Sequence, residues 1–159
     1  MRNETQQTAP APHATGALKQ KNRAQRPVAI VDDNDDDRLL LRREMAFLLG
    51  DTPILTFMNG MELVRYLDTH RKAIQKPHTI FLDLHMGVMD GLMTLEYLQG
   101  RLSMSDIAII MVSGTQDGEH VRAALENGAQ AFLPKPVSRW DMLRVLQGKC
   151  PQNGGQINR

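Results

Sequence analysis

The sequence predicts an α/β domain of five strand–helix units, with a parallel sheet covered by helices on both faces. Three observations lead there. Short apolar runs of the buried-strand kind recur along the chain, from Val28-Ala29-Ile30-Val31 to Ala131-Phe132-Leu133. Segments with apolar residues at helical spacing follow each run. The two patterns alternate strictly, which is the signature of a parallel sheet joined by crossover helices.

The elements read in order as follows. After Val28–Val31 comes an acidic cluster, Asp32 to Asp37 with Asn34 inside it. A helix then carries Leu41, Met45 and Leu48, and Gly50 stops it. Ile54-Leu55-Thr56-Phe57 reads as the second strand, and Asn59-Gly60 as a turn. Met61 to His70 reads as a helix with Leu63, Val64 and Leu67 inward, and residues 71–78 as a polar loop. Thr79 to Leu82 is the third strand and ends at Asp83. A loop with Gly87 and Asp90-Gly91 leads to a helix bearing Leu92, Leu95 and Leu98. Ile107 to Val112, the most apolar strand, ends at Ser113-Gly114. A helix over roughly 117–127 closes at Gly128, a good residue just past a helix end. The fifth strand is followed by Pro134-Lys135-Pro136, and Ser138 can cap a last helix with Met142, Leu143, Val145 and Leu146.

The 159 residues suit one domain with a real core. Residues 1–26 hold five Lys/Arg and one Glu, with few large apolar residues, and read as a flexible basic arm. Residues 27–148 form the domain, and 149–159 read as a polar tail. The remainder after the arm has 14 Lys/Arg and 17 Asp/Glu, so it is not a basic nucleic-acid-binding domain by charge. No apolar run is long enough to cross a bilayer, and the N-terminus has no apolar signal segment. The single cysteine, Cys150, excludes an intrachain disulfide and fits a reducing compartment, the cytoplasm.

Parallel sheets gather their sites at the carboxyl ends of strands. Those ends deliver Asp32 and Asp33, then Asp83, then Ser113, and finally Lys135. Clustered carboxylates repel one another and call for a cation, and hard oxygen donors with room for water suit Mg²⁺. A bound Mg²⁺ can neutralise phosphoryl oxygens during in-line transfer. Lys135 can pair with a carboxylate or with a phosphoryl oxygen, and Ser113 can donate to that oxygen. Neither a Ser/His/Asp or Cys/His nucleophile set nor a Gly-rich phosphate loop is evident. Asp35, Asp36 and Asp37 read as acidic residues favouring a helix N-terminus. An EF-hand over Asp33, Asp35, Asp37 and Glu44 fails, because Arg38 stands where Gly is required. His13, His70, His78 and His120 lack ligand spacing and read as surface residues.

These residues resemble the receiver domains of bacterial response regulators. The resemblance is carried by Val28-Ala29-Ile30-Val31-Asp32-Asp33-Asn34, by Leu82-Asp83-Leu84-His85-Met86-Gly87-Val88-Met89-Asp90-Gly91, and by Met111-Val112-Ser113-Gly114. It continues in Asn127-Gly128-Ala129 and in Phe132-Leu133-Pro134-Lys135-Pro136. It covers about residues 27–148, with five motifs in the family's order, and the spacings from Asp83 to Ser113 and on to Lys135 look like those of the chemotaxis receiver. It implies a flavodoxin-like (βα)5 doubly wound fold with sheet order 2-1-3-4-5. It implies that Asp83 is the phosphoacceptor, and that Asp32, Asp33, Asp83 and the backbone carbonyl of His85 hold Mg²⁺. Ser113 and Phe132 become the switch pair, and Lys135 the phosphoryl-contacting lysine, with Pro136 after a cis peptide bond. Asp83, Lys135 and Ser113 would carry the transfer chemistry, and the protein would catalyse only its own phosphorylation and dephosphorylation.

The implied partners are a sensor histidine kinase or phosphotransfer protein, and a downstream protein target bound by the surface around the fourth and fifth helices. Neither membrane nor nucleic acid is expected, and the chain would be a monomer or weak dimer. With few residues after 148, it reads as a stand-alone cytoplasmic receiver. Two departures stand out. Gly87 occupies a position where the family usually has Pro, which widens the backbone space of that loop. The segment from Asp33 to Asp83 is long, with the extra residues placed at 70–78. His85 and Thr115, flanking the acceptor and switch, are candidates to tune dephosphorylation. Two other functions compete with this one. A phosphorylation-independent interaction module would not need the full acidic set, Ser113 and Lys135. An aspartate-based phosphohydrolase would want a second Asp where His85 stands.

Overall fold

The computed structural model describes residues 26–70, 72–101, 106–115 and 117–149. Five strands form one parallel sheet: β1 Val28–Val31, β2 Ile54–Phe57, β3 Thr79–Asp83, β4 Ala108–Ser113 and β5 Ala131–Pro134. Helices α1 Asp35–Leu49, α2 Gly60–Thr69, α3 Gly91–Arg101, α4 Gly118–Glu126 and α5 Arg139–Leu146 follow the strands in turn. The sheet order is β2-β1-β3-β4-β5. The chain thus first winds outward from β1 to β2, then crosses back to β3 on the other side. That reversal leaves a crevice at the carboxyl ends of β1 and β3, where open α/β sheets bind ligands.

Strand side chains alternate between faces, and the core divides accordingly. Ala29, Val31, Ile80, Leu82, Ile109 and Met111 pack with residues of α2, α3 and α4 such as Leu63, Leu95 and Ala124. Val28, Ile30, Phe81, Ile110 and Val112 pack on the other face with Leu41 and Met45 of α1 and Met142 and Val145 of α5. Both faces are covered, so all the residues of β1, β3 and β4 are buried and the strands read as near-continuous apolar runs, with Thr79, Asp83 and Ser113 at their ends. Of the methionines, Met45, Met86, Met89, Met111 and Met142 lie in the core.

Several boundaries differ from the sequence reading. Asn59-Gly60 is a helix start and not a turn: the Asn59 side chain accepts the Glu62 N–H at 3.0 Å, and Glu62 reaches back to the Met58 N–H at 2.8 Å. Residues 71–78 include one 3₁₀ turn, Ala73–Gln75. His78 is buried and not a surface residue. Its N–H donates to the Pro27 carbonyl and its carbonyl accepts the Ala108 N–H, so it extends β3 between two neighbours. Its ring meets the Thr79 hydroxyl at 2.7 Å. Arg26, read as the end of the arm, donates to the carbonyls of Lys76 and Pro77 at 3.0 and 2.9 Å. Helix ends at Gly50 and Gly128 are as expected, both with positive φ. Ser138 caps α5 by accepting the Asp141 N–H. The Lys135–Pro136 peptide is cis. Residues 1–25 and 150–159, with His13 and Cys150, lie outside the described residues. Among the described residues no helix is long and apolar enough to cross a membrane.

Candidate functional site

The carboxyl end of β1 delivers Asp32 and Asp33, and β3 ends on Asp83. Because β1 and β3 are adjacent and in register, with Val31 opposite Leu82, these residues meet. Carboxylate oxygens of Asp32, Asp33 and Asp83 all lie within 4.8 Å of one another. Asp32 and Asp83 are buried at 1% and 5% exposure, whereas Asp33 is open to solvent. The set fits a small divalent cation. All three donors are hard oxygens, close enough to share one ion, and the exposed side leaves room for waters.

Backbone amides aim each carboxylate. The Asn34 N–H donates to Asp32 Oδ1 at 2.9 Å, and the His85 N–H to Asp83 Oδ2 at 3.1 Å. Asp33 Oδ2 accepts the Gly87 N–H at 3.1 Å. A proline, usual for the resembled family at that position, has no N–H to give. So the departure at Gly87 supplies a bond to a candidate metal ligand. Gly91 is required for another reason. A Cβ there would fall 2.4 Å from the Asp83 carbonyl oxygen and 2.9 Å from Leu84 Cα. The chain leaving the acceptor strand can fold back, with the Gly91 N–H on the Leu84 carbonyl, only over a bare backbone.

Lys135, just past β5, reaches across β4 to the cluster. Its ammonium donates to Asp32 Oδ2 at 2.7 Å and to Asp37 Oδ2 at 2.9 Å, and pairs with Asp83 Oδ1 at 2.9 Å. Burial alone would lower its pKa, but the bonds to Asp32, Asp37 and Asp83 outweigh that and hold it above the ordinary lysine value. Asp83 is displaced upward. Burial is the largest cause, Lys135 opposes it, and the charges of Asp32 and Asp33 add to it.

Ser113 ends β4 and is fully buried. Its hydroxyl accepts the Thr115 N–H at 3.1 Å and lies 3.1 Å from the Thr115 hydroxyl. Thr115 in turn meets His85 Nε2 at 3.0 Å. The His85 ring stands edge-on to that of His120, centroids 5.7 Å apart. Phe132, paired in register with Met111, is buried in the core on the α2–α4 face. The structure therefore brings Asp32, Asp33, Asp83 and Lys135 into one constellation, with Ser113 in a hydrogen-bonded chain to Thr115 and His85.

Sequence reasoning missed Asp37. Its place in the first turn of α1 suggested a dipole effect alone, yet it is a direct partner of Lys135. The available signal was its position four residues after Asp33, one helical turn on from a strand end. His120, read as a surface residue, has a side chain 42% exposed, and what the sequence did not show is its ring contact with His85.

A family model, the response regulator receiver domain, matches residues 28–147. The nitrate/nitrite response regulator protein NarL of Escherichia coli K12 is 32% identical over 118 residues, covering 70% of this chain and 50% of that protein. A protein-glutamate methylesterase/protein-glutamine glutaminase of Moorella thermoacetica is 36% identical over 117 residues, 69% of this chain and 24% of the relative. The chain thus spans half or less of these curated relatives. Among solved structures, the Vibrio cholerae chemotaxis protein CheY4 aligns with a TM-score of 0.66 at 21% identity, over 77% of this chain and 97% of that one. The bacteriophytochrome response regulator AtBRR aligns with a TM-score of 0.66 at 25% identity, over 77% of this chain and 90% of the other.

Proposed function

The chain belongs to the response regulator receiver domain family, and on that premise we propose that it is a phosphorylation switch whose acceptor is Asp83. The observation that carries this reading is the meeting of Asp32, Asp33 and Asp83 within 4.8 Å beside the Lys135 ammonium. A carboxylate oxygen of Asp83 attacks the phosphorus of a kinase or phosphotransfer protein's phosphohistidine. The new O–P bond forms as the N–P bond breaks, and the electron pair leaves on the imidazole, which takes up a proton. The product is an acyl phosphate on Asp83.

Asp32, Asp33, Asp83 and the His85 carbonyl would hold Mg²⁺, which supplies charge neutralisation for the phosphoryl oxygens when bound. Lys135 exchanges Asp83 for a phosphoryl oxygen, keeping its charge at the site throughout. Ser113 leaves Thr115 and donates its hydroxyl to the phosphoryl group. Phe132, packed beside Met111, follows Ser113. That biases the surface around α4 and α5 toward a second packing, which a downstream protein reads. Residues 27–148 act as the switch, in the cytoplasm, between the basic stretch 1–26 and the polar stretch 149–159.

The test is incubation with Mg²⁺ and acetyl phosphate, and separately with a phosphorylated histidine phosphotransfer domain. The expected result is one phosphoryl mass increment that Asp83→Asn abolishes. An increment surviving that substitution, or none from either donor, defeats the reading.

A further inference from the structure

Lys135 has three N–H donors, and the structure shows a carboxylate on each side it faces: Asp32 at 2.7 Å, Asp37 at 2.9 Å and Asp83 at 2.9 Å. Two of these belong to the acidic cluster at the strand ends. The third does not. Asp37 sits on the first turn of α1, away from the three clustered carboxylates, and its side chain is 39% exposed. It is not needed to fill the core or to cap the helix, since the Asn34 side chain already caps α1.

Beyond Asp37 the ammonium faces a groove of about 290 Å³ between α1 and the loop after β5. Leu40, Leu41, Pro136 and Val137 wall it, and their side chains can accept no hydrogen bond. Glu44, also on the groove, is engaged by Arg139 at 2.6 Å. Asp37 is therefore the anionic group that holds Lys135 from the α1 side. Without it, two donors would remain on Asp32 and Asp83, and nothing on that side would draw Nζ away from Asp83. The attack on phosphorus uses an Asp83 oxygen lone pair, and Oδ2 already accepts the His85 N–H. A tighter Lys135 grip on Oδ1 would leave the nucleophile less available and the ammonium slower to change partner.

We infer that Asp37 is a positioning residue that shares the Lys135 ammonium with Asp32 and Asp83, holding it where it can pass from the Asp83 carboxylate to an incoming phosphoryl oxygen. This rests on the proposed phosphorylation of Asp83. It acts through Lys135 and touches neither donor nor metal.

The test compares wild type, Asp37→Ala and Asp37→Asn in full-length protein at saturating Mg²⁺, with acetyl phosphate concentration varied. The saturating rate should fall about fivefold in Asp37→Ala, the scale of one charge-assisted hydrogen bond to a half-exposed partner. Asp37→Asn, whose amide oxygen still accepts, should recover part of the loss. The acetyl phosphate KM should stay within about twofold, because the effect is on geometry and not on attraction of an anion. NMR of the Lys135 ammonium should show faster hydrogen exchange in Asp37→Ala without any donor present.

An unchanged or increased saturating rate in Asp37→Ala, with KM falling in a salt-dependent way, would reduce Asp37 to a surface charge and overturn the inference. A wild type that takes up no phosphoryl group defeats the functional reading itself. In that event an unaltered Lys135 signal in Asp37→Ala sinks the contact as well, and an altered one leaves Asp37 holding Lys135 for another purpose than this transfer.

Discussion

Asp83→Asn is expected to make the protein more stable in the absence of divalent cations while abolishing phosphoryl uptake. Asp83 is 5% exposed and shares its corner with two carboxylates and one ammonium. At an effective dielectric of 20, like charges at the 4.8 Å outer limit of the cluster repel by about 3.5 kcal/mol each, from Asp32 and, less for its exposure, from Asp33. The Lys135 pair at 2.9 Å returns about 5.7 kcal/mol on the same scale. The two repulsions and the one attraction nearly cancel, more so because Asp33 is open to solvent, and burial of the carboxylate, the largest cause, sets the sign. Asparagine keeps the shape and an acceptor for the His85 N–H, but carries no charge. A gain of about 1–2 kcal/mol at pH 7 follows, or roughly 3–8 °C in Tm for a domain of this size.

The pH dependence fixes the sign. The folded-state pKa of Asp83 lies above its ordinary 3.8. Folded wild type therefore binds that proton more tightly than the unfolded chain, and loses stability as pH rises from about 3.8 through the folded value. The advantage of Asp83→Asn should open over that window and then stay level to neutral pH. Urea unfolding in EDTA from pH 3.5 to 8 reads it directly. Added Mg²⁺ should stabilise wild type through binding to the folded state, and Asp83→Asn much less, narrowing or reversing the gap. If Asp83→Asn is less stable than wild type in EDTA at pH 7, the carboxylate is net stabilising and the charge argument is wrong.

Lys135→Met leaves buried Asp32 and Asp83 without their cation and should lower stability by about 2 kcal/mol in EDTA, below the range for fully buried pairs because Lys135 is partly exposed. Its pKa is raised, so the wild-type advantage should hold below the ordinary lysine value of 10.5 and fade above it, as urea midpoints across pH 7–11 would report. Gly91→Ala should cost about 3 kcal/mol in thermal unfolding, because the added Cβ meets backbone at Asp83 and Leu84 that cannot yield. Gly87→Ala should be within about 0.5 kcal/mol of wild type, since it keeps the N–H and has Asp33 Oδ2 no nearer than 4.0 Å. Gly87→Pro should lose about 1 kcal/mol at pH 7 with the bond to Asp33, and an equal loss in Gly87→Ala would show that the N–H is not the cause.

The fold was legible because a doubly covered sheet leaves a strong local trace. Val28–Val31, Ile80–Leu82 and Ile107–Val112 are apolar without alternation, and aspartates break that pattern just after β1 and at the last residue of β3. Strand order was not legible in this way, since periodicity says nothing of which strands touch. It came from the family resemblance. The reach of Lys135 to Asp37 needed three dimensions, because 98 residues separate the pair. His78 looked like loop because a polar residue ahead of an apolar run carries no sign of burial. Its burial follows from backbone bonds to Pro27, just ahead of β1, and to Ala108 at the start of β4. The Gly87 bond to Asp33 was invisible for a similar reason: a backbone donor has no side-chain signature.

The site divides into parts that are held and parts that can change partner. Asp32 and Asp83 are fixed by the paired strands β1 and β3 and by the amides of Asn34 and His85. Lys135 and Ser113 differ, because each spends its hydrogen bonds on groups that a phosphoryl group would compete with: Asp83 for the ammonium, Thr115 for the hydroxyl. The three carboxylates on the Lys135 ammonium and Asp33 beside them carry with it a net charge of about −3, which a divalent cation would reduce to about −1. Phosphorylation would replace the Asp83 monoanion with an acyl phosphate dianion and take that balance to about −2, so under the proposed function the phosphorylated state holds only while Lys135 and Ser113 both turn to it. The Ser113–Thr115–His85 chain ties that turn to the acceptor's own loop, two residues past Asp83. Under the proposed function, release of Ser113 from Thr115 and loosening of His85 would be one event, coupling the strand end to the segments leading into α3 and α4.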